Sequence, residues 1–381
     1  MDETSQNRES EFAMKNIKTI QSEGLPHLED SNMTRAALHD STRKSFASDN
    51  YAGVHPLVLE AIVSANGEHV RSYGADPYTE KLQELVQSNF GSEAVIFPVL
   101  TGTGANIVAL QALTARHESV ICAKSAHVHV DEGGAPERVG IKLLTVETPD
   151  GKLTPNLIDS EAWGWGDQHR GQPGVVTITQ TTELGTVYTP DEIRSIVEHA
   201  HKNGMRVHLD GARLANAAAS LGVHVREFTT EAGVDTISFG GTKIGALAAE
   251  AVIVLNPKYQ DVIPYLRKGS AQLGSKMRFI SSQLIALLED DLYIDLARNA
   301  NSTASLLAEG VSDIPGVRLA QRTEANAVFA NIDPLLAAGI AEELGFYVWD
   351  GPSGLVRWMT SWDTTKEDIS IFLSTLRNRL V

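Results

Sequence analysis

The stretch VHLDGARLANAAA, residues 207 to 219, decides how this chain is read. Val207 and Leu209 alternate as the last core residues of a strand do, and Gly211 followed by Ala212 makes a tight exit into a helix that begins near Arg213. Asp210 and Arg213 then stand at the carboxyl end of a strand, the edge of an open α/β sheet where ligands bind. The same pair also suits a plainer role, with Asp210 capping a helix and Arg213 a solvated surface cation.

Working outward, short β-branched runs alternate with helical segments. The runs are AVIFPVL (94–100), SVICA (119–123), KLLTVE (142–147), VVTITQ (175–180), MRVHL (205–209), TISFGG (236–241) and AVIVLN (251–256). Amphipathic segments such as ANIVALQALTARH and DEIRSIVEHAHKN separate them. This grammar predicts an α/β fold: a mostly parallel, seven-stranded, doubly wound sheet covered on both faces. After about residue 285 the pattern changes. VRLAQ, AVFANI, FYVWD and LVRWMTSW follow with helices before, between and after them, which predicts a smaller α+β C-terminal domain over 286–381 beside a large domain over 45–285. Residues 1 to 44 are polar and aperiodic, and read as a flexible or only partly helical N-terminal extension.

Composition excludes several classes of function. The chain has 381 residues, 42% of them hydrophobic, and 32 Lys plus Arg against 48 Asp plus Glu, for a formal charge of −16 with no basic run. Phosphate-backbone partners and anionic membrane surfaces are therefore not expected. The single cysteine, Cys122, lies in a strand-like run, which rules out an internal disulfide and fits a reducing compartment and a core position. No apolar run reaches the roughly 20 residues that span a bilayer, and the acidic N-terminus is unlike a secretory signal. The expected location is the cytoplasm.

Three further stretches can carry chemistry. In LTGTGANIVAL (100–110) a strand runs into a Gly-rich turn that opens a helix, so the N–H groups of Gly102, Thr103 and Gly104 form an anion site. The turn lacks the third glycine of a dinucleotide fingerprint and the Gly-Lys-Ser/Thr of a P-loop. In SAHVHVDEGGAPE (125–137) His127 and His129 share one face of an extended segment, with Asp131 and Glu132 after them. A metal site would need a third spaced ligand, so the histidines read as pocket-facing and no metal is expected. In VDTISFGGTKIGA (234–246) a lone lysine, Lys243, follows a glycine turn in apolar surroundings. Desolvation depresses an amine's pKa and makes it nucleophilic toward aldehydes, although a lysine can also snorkel to the surface from such a turn. A phosphate cradle, a ring-facing histidine, an aspartate at a strand end and a carbonyl-reactive lysine are together what pyridoxal 5′-phosphate requires.

The chain also resembles a known family, from SFASDNYAGVHP (45–56) to SWDTTKED (361–368). The residues that carry the resemblance are FASDNYAGVHP, SYGADP (72–77), TGTGAN (101–106), AHVHVDEGGAPE, DGARLANA (210–217), FGGTK (239–243), SKMRF (275–279) and VRWMTSWD (356–363). They resemble the low-specificity L-threonine aldolases, within the aromatic β-eliminating lyase and threonine aldolase group of fold-type I pyridoxal-phosphate enzymes. The resemblance implies retro-aldol cleavage of L-threonine, L-allo-threonine and related β-hydroxy-α-amino acids to glycine and an aldehyde. A β-eliminating lyase or aminotransferase acting on another L-amino acid is the alternative.

Site roles carried over from the family are these. Lys243 is implied as the residue that links to the cofactor, Asp210 as the partner of its ring nitrogen, Arg213 as a neighbour of its phenolic oxygen, and His127 as the imidazole on its ring face. Gly102 and Thr103 are implied at the phosphate. Ser48 and Arg357 are implied at the substrate carboxylate, Tyr73 and Asp76 as lining residues, and Gln180 and Thr182 at the end of VVTITQTT. Arg278, framed by Met277 and Phe279, is expected to reach the phosphate of a partner subunit, in a homodimer or homotetramer with shared sites.

Overall fold

A computed structural model describes residues 37–40 and 42–380, so most of the N-terminal extension lies outside the described residues. Residues 44–381 form one compact unit.

Seven strands build its main sheet: β1 Val95–Val99, β2 Glu118–Ala123, β3 Lys142–Val146, β4 Gln172–Thr179, β5 Arg206–Gly211, β6 Thr236–Gly240 and β7 Glu250–Val254. Their order is β1-β7-β6-β5-β4-β2-β3. The pairs β3–β2, β2–β4, β4–β5 and β5–β6 are parallel, whereas β7 runs antiparallel to both β6 and β1. The reversal follows from chain length. Only residues 241–249 separate β6 from β7, short of the dozen or so that a parallel crossover needs. Strands β6 and β7 are buried almost throughout, as expected for a sheet covered on both faces.

The covering helices carry their own signals. In Pro190–Lys202 the apolar residues Ile193, Ile196, Val197 and Ala200 recur at helical spacing and are buried, while Thr189 and Glu192 close a capping box at its start. A second sheet, ordered β10-β11-β9-β8, is wholly antiparallel: β8 Arg318–Leu319, β9 Ala327–Asn331, β10 Tyr347–Asp350 and β11 Leu355–Met359. It packs with the helices Leu292–Ser312 and Lys366–Leu380 around a separate apolar core that includes Phe46, Trp358 and Phe372.

The register places the carboxyl ends of β4, β5 and β6 side by side, with Thr179 opposite Asp210 and Asp210 opposite Ser238. Cys122 lies in the core as expected, where burial pushes its thiol up to about 12.

Candidate active site

The site is assembled at that shared carboxyl edge. Asp210 is 3% exposed, so it is no solvated cap. Its Oδ1 accepts from the Ala212 N–H at 3.1 Å and its Oδ2 from Asn106 Nδ2 at 2.9 Å. The other hydrogen of the Asn106 amide goes to Glu132 Oε1 at 2.7 Å, and that oxygen also lies 2.9 Å from His127 Nδ1. Asn106 therefore bridges two buried carboxylates. The Glu132 hydrogen bond raises the pKa of His127 against the opposing effect of burial, with the charges of Asp210 and Glu183 adding to the rise. One pleat below Asp210, His208 bridges Thr177 on β4 and Ser238 on β6 at 2.8 and 2.9 Å, and burial pushes it down to about 4.

The structure corrects the reading of the histidine segment. His127–Val130 is one helical turn rather than an extended run, because the Ala126 carbonyl accepts from the N–H groups of both His129 and Val130. Histidines two apart on a helical turn do not share a face. His127 turns toward Glu132, and His129 is exposed.

Arg213 does not face solvent either. It is 7% exposed and forms a bidentate pair with Asp49, Nε to Oδ2 at 2.7 Å and Nη2 to Oδ1 at 2.9 Å, with Asn326 Nδ2 also on Oδ2 at 3.1 Å. Burial disfavours both charges, yet Arg213 holds Asp49 below the ordinary carboxylate range and Asp49 holds Arg213 above the ordinary arginine value. Ser48, one residue earlier, uses its hydroxyl to accept the Asn50 N–H as a cap. Ala47 offers its carbonyl to Arg357 Nη2 at 3.2 Å. Arg357 is 9% exposed, lies over the Trp349 ring at 4.8 Å, and leaves its Nε without a partner.

Lys243 sits in the 3-10 turn Thr242–Ile244 that leaves β6. The preceding glycines are required by close backbone approach: a Cβ on Gly240 would stand 2.7 Å from the Ala212 carbonyl oxygen, and one on Gly241 2.6 Å from that of Ala249. The turn thus fits against both β5's exit and the start of β7. Gly102 and Thr103 open the helix Gly102–Leu113, where the helix itself supplies no acceptor for their N–H groups, while Thr101 Oγ1 caps Gly104 N at 3.0 Å.

Other expected residues have different partners. Asp76 caps the helix Pro77–Phe90 through Thr79 N at 2.9 Å. Tyr73 has a left-handed backbone with φ of 60° and lies under the Lys268 ammonium at 5.0 Å. Gln180 spends both ends of its amide on the backbone of Tyr188, and Thr182 pairs with Thr186, so both serve the loop. Arg278 stacks on Phe279 at 4.9 Å and donates to the carbonyls of Gly67 and Glu68. Four site residues had no role assigned from the sequence: Asp49, Asn106, Glu132, which was named only as following the histidines, and Glu250. The first three lie inside quoted motifs, and Glu250 is a single acid in the apolar run ALAAEAVIVL, the same kind of signal that exposed Lys243.

The family model for β-eliminating lyases matches residues 45–334. A low specificity L-threonine aldolase of Pseudomonas aeruginosa is 43% identical over 329 residues, covering 86% of this chain and 95% of the relative. The chain belongs to the β-eliminating lyase family. It is similar to the solved Leishmania major threonine aldolase, at 29% identity with a TM-score of 0.82, covering 88% of this chain and 99% of that one. A Thermus thermophilus aspartate aminotransferase, at 16% identity and a TM-score of 0.65 over 86% of this chain and 89% of that one, shares the fold alone. The fold is that of the fold-type I pyridoxal-phosphate enzymes, and the family makes this protein a lyase that works with pyridoxal 5′-phosphate.

Proposed function

We propose that the protein cleaves L-threonine, L-allo-threonine and related β-hydroxy-α-amino acids to glycine and the corresponding aldehyde. The observation that carries this reading is the meeting of Lys243, Asp210 and His127 at one sheet edge in a chain 43% identical to a low specificity L-threonine aldolase. The residues present fit the cofactor. The first turn of Gly102–Leu113 offers free amides to a phosphate, Asp210 offers a carboxylate to a ring N–H, and Lys243 offers an amine to an aldehyde. Buried atoms of the cluster still lack partners, namely Asn106 Oδ1, Glu132 Oε2 and Arg357 Nε. When bound, the cofactor supplies an electron sink for the bond that breaks.

The protein's own groups do the rest. Asp210, fixed by Ala212 and Asn106, would offer its carboxylate to the ring nitrogen and hold the proton there. Asp49 fixes Arg213 so that its guanidinium points one way only. His127, oriented by Glu132, would lie against the ring, and a base in this region, His127 or an ordered water, takes the substrate's hydroxyl proton. Arg357 and Ser48 hold the substrate carboxylate, with Tyr73 at the rim. The test is an assay with both threonine isomers that scores acetaldehyde against pyruvate or a keto acid. Acetaldehyde with glycine is expected, and pyruvate or a keto acid instead would favour elimination or transamination. Lys243→Ala should lose the borohydride-reducible cofactor adduct and nearly all turnover.

We further read residues 45–285 and 286–381 as a large and a small domain, supported by the apolar core around the second sheet, although Phe46 joins that core and Leu287, Tyr293, Leu296 and Ala297 join the core of the main sheet. The junction falls inside the helix Arg278–Leu288. We infer a homodimer or homotetramer with shared sites. Exposed Tyr51, Leu57, Val63, Leu247 and Tyr265 support it, because Gly245 in the Lys243 loop accepts the His55 N–H at 2.9 Å and so brings two of those segments together. In that assembly Arg278 reaches the partner's cofactor phosphate. We further propose a role in threonine breakdown and glycine supply, which rests on the activity above, and a cytoplasmic location, supported by an acidic chain with one buried cysteine.

A further inference from the structure

Glu250 opens β7 and is 7% exposed. Its Oε1 accepts the Thr242 N–H at 3.1 Å, and the Thr242 side chain also bonds the carboxyl, whose second oxygen is Oε2. That second oxygen points at the start of the helix Gly102–Leu113: a Cβ built on Gly102 would lie 3.9 Å from it. A buried carboxyl group thus stands against the amides that suit a phosphate.

A bound phosphate dianion and an ionised carboxylate in that space would repel each other out of reach of water, and one proton between them turns the repulsion into a hydrogen bond. We propose that Glu250 belongs to the phosphate cradle as the neutral acid: its carboxyl takes one proton from solvent as a phosphate monoester settles on Gly102 and Thr103, and returns it when the phosphate leaves. The inference rests on the reading of this edge as a pyridoxal-phosphate site. Few titratable side chains surround Glu250. β1, β6 and the helix Gly102–Leu113, which pack around the start of β7, contribute no titratable side chain. The charged groups acting on Glu250 are Lys243 from the turn after β6 and Asp210 from β5. Burial already pushes Glu250 up to about 7 before any phosphate arrives, with the Thr242 hydrogen bond and Lys243 opposing the rise. Proton uptake on binding is then expected above pH 7, where the free protein holds Glu250 ionised.

The test is titration of cofactor-free protein with pyridoxal 5′-phosphate and with pyridoxal, at pH 8, in buffers of different ionisation heat. Both form the same link to Lys243, so the difference between them reports the phosphate. The expected result is close to one more proton taken up per pyridoxal 5′-phosphate, and no excess in Glu250→Gln. The dissociation constant of the native protein should rise about tenfold per pH unit above 7 relative to that of the Gln variant. An infrared difference spectrum of the native protein should gain a carboxylic-acid carbonyl band on binding, a readout that survives even if the variant fails to fold. No proton excess together with no such band would overturn the proposal. Absence of any cofactor binding would instead remove the site reading beneath it.

Discussion

The two ends of β5 carry equally dense charge and do different things. At the amino end, Arg206 pairs with Glu118 on β2 and reaches the Leu113 carbonyl, while Asp235 accepts from Val207 N at 2.8 Å and Asn256 Nδ2 at 2.7 Å and pairs with His201 Nε2 at 2.9 Å. A cavity of about 520 Å³ opens beside them. Every buried polar atom of these five side chains has a partner. At the carboxyl end the fold leaves Asn106 Oδ1, Glu132 Oε2 and Arg357 Nε unmatched. A cleft lined with charges is thus a poor guide to chemistry when the charges are already spent on one another. Valence left over in a buried setting costs about 1–3 kcal/mol per group unless a ligand meets it, and it informs only where such atoms gather, since single ones also occur at Arg226, Thr236, Arg267, Thr323 and Trp358.

Substitutions at the two ends should separate accordingly. Asp210→Asn should lower kcat for L-threonine roughly 10³-fold with little change in melting temperature, since Asn keeps the shape and loses the charge aimed at the ring nitrogen. A large fall in melting temperature with normal kcat would place Asp210 with the structural end. At the other end, Asp235→Asn should cost about 1–3 kcal/mol of stability, read from denaturant unfolding, and leave turnover per folded molecule unchanged.

Arg357→Lys should raise KM for L-threonine about tenfold, near 1.4 kcal/mol, with cofactor occupancy intact, because an ammonium does not replace a guanidinium fork. Unaltered KM would remove Arg357 from the substrate. Glu132→Gln should move the acid limb of the kcat profile to lower pH, because the Glu132 hydrogen bond raises the His127 pKa and its loss lets the ring give up its proton sooner. An unmoved limb would mean that His127 does not set it.

The smallest effect lies at the amino end. Asp235 raises the pKa of His201, so the pair stabilises the fold fully below the unfolded histidine value near 6.5 and loses that contribution as pH rises through the folded value. His201 is well exposed, which limits the contribution to a few tenths of a kcal/mol. His201→Gln should flatten the melting-temperature profile across that window and leave kcat alone.

Much of this was legible in the residues. All seven strands of the main sheet and the four of the smaller one fall where strand-like runs predict them, most clearly the buried ones, which leave little room for polar interruption, whereas β8 and β10 are largely exposed. The direction of β7 is set by the length of a loop, which a strand pattern does not express. The alternation in HVHV imitates a strand, and only the backbone acceptors at Ala126 show a helical turn. Lys243 stood out because a lysine in an apolar run is rare. Glu132 and Asp49 did not, since an acid beside other polar residues looks solvated until a partner from 164 residues away, as for Asp49 and Arg213, is brought to it.

That last separation bears on how the protein is made. Asp49 meets Arg213 across 164 residues and Asn326 across 277, and Ala47 meets Arg357 across 310. A ribosome therefore releases nearly the whole chain before the segment around Ala47 and Asp49 finds its final neighbours. Until then the early segment carries a carboxylate and the middle of the chain a guanidinium, each still hydrated and waiting. Closure of such long loops is slow and comes late, so a nascent chain stalled before residue 326 would display a well-formed sheet and still lack Asn326 and Arg357.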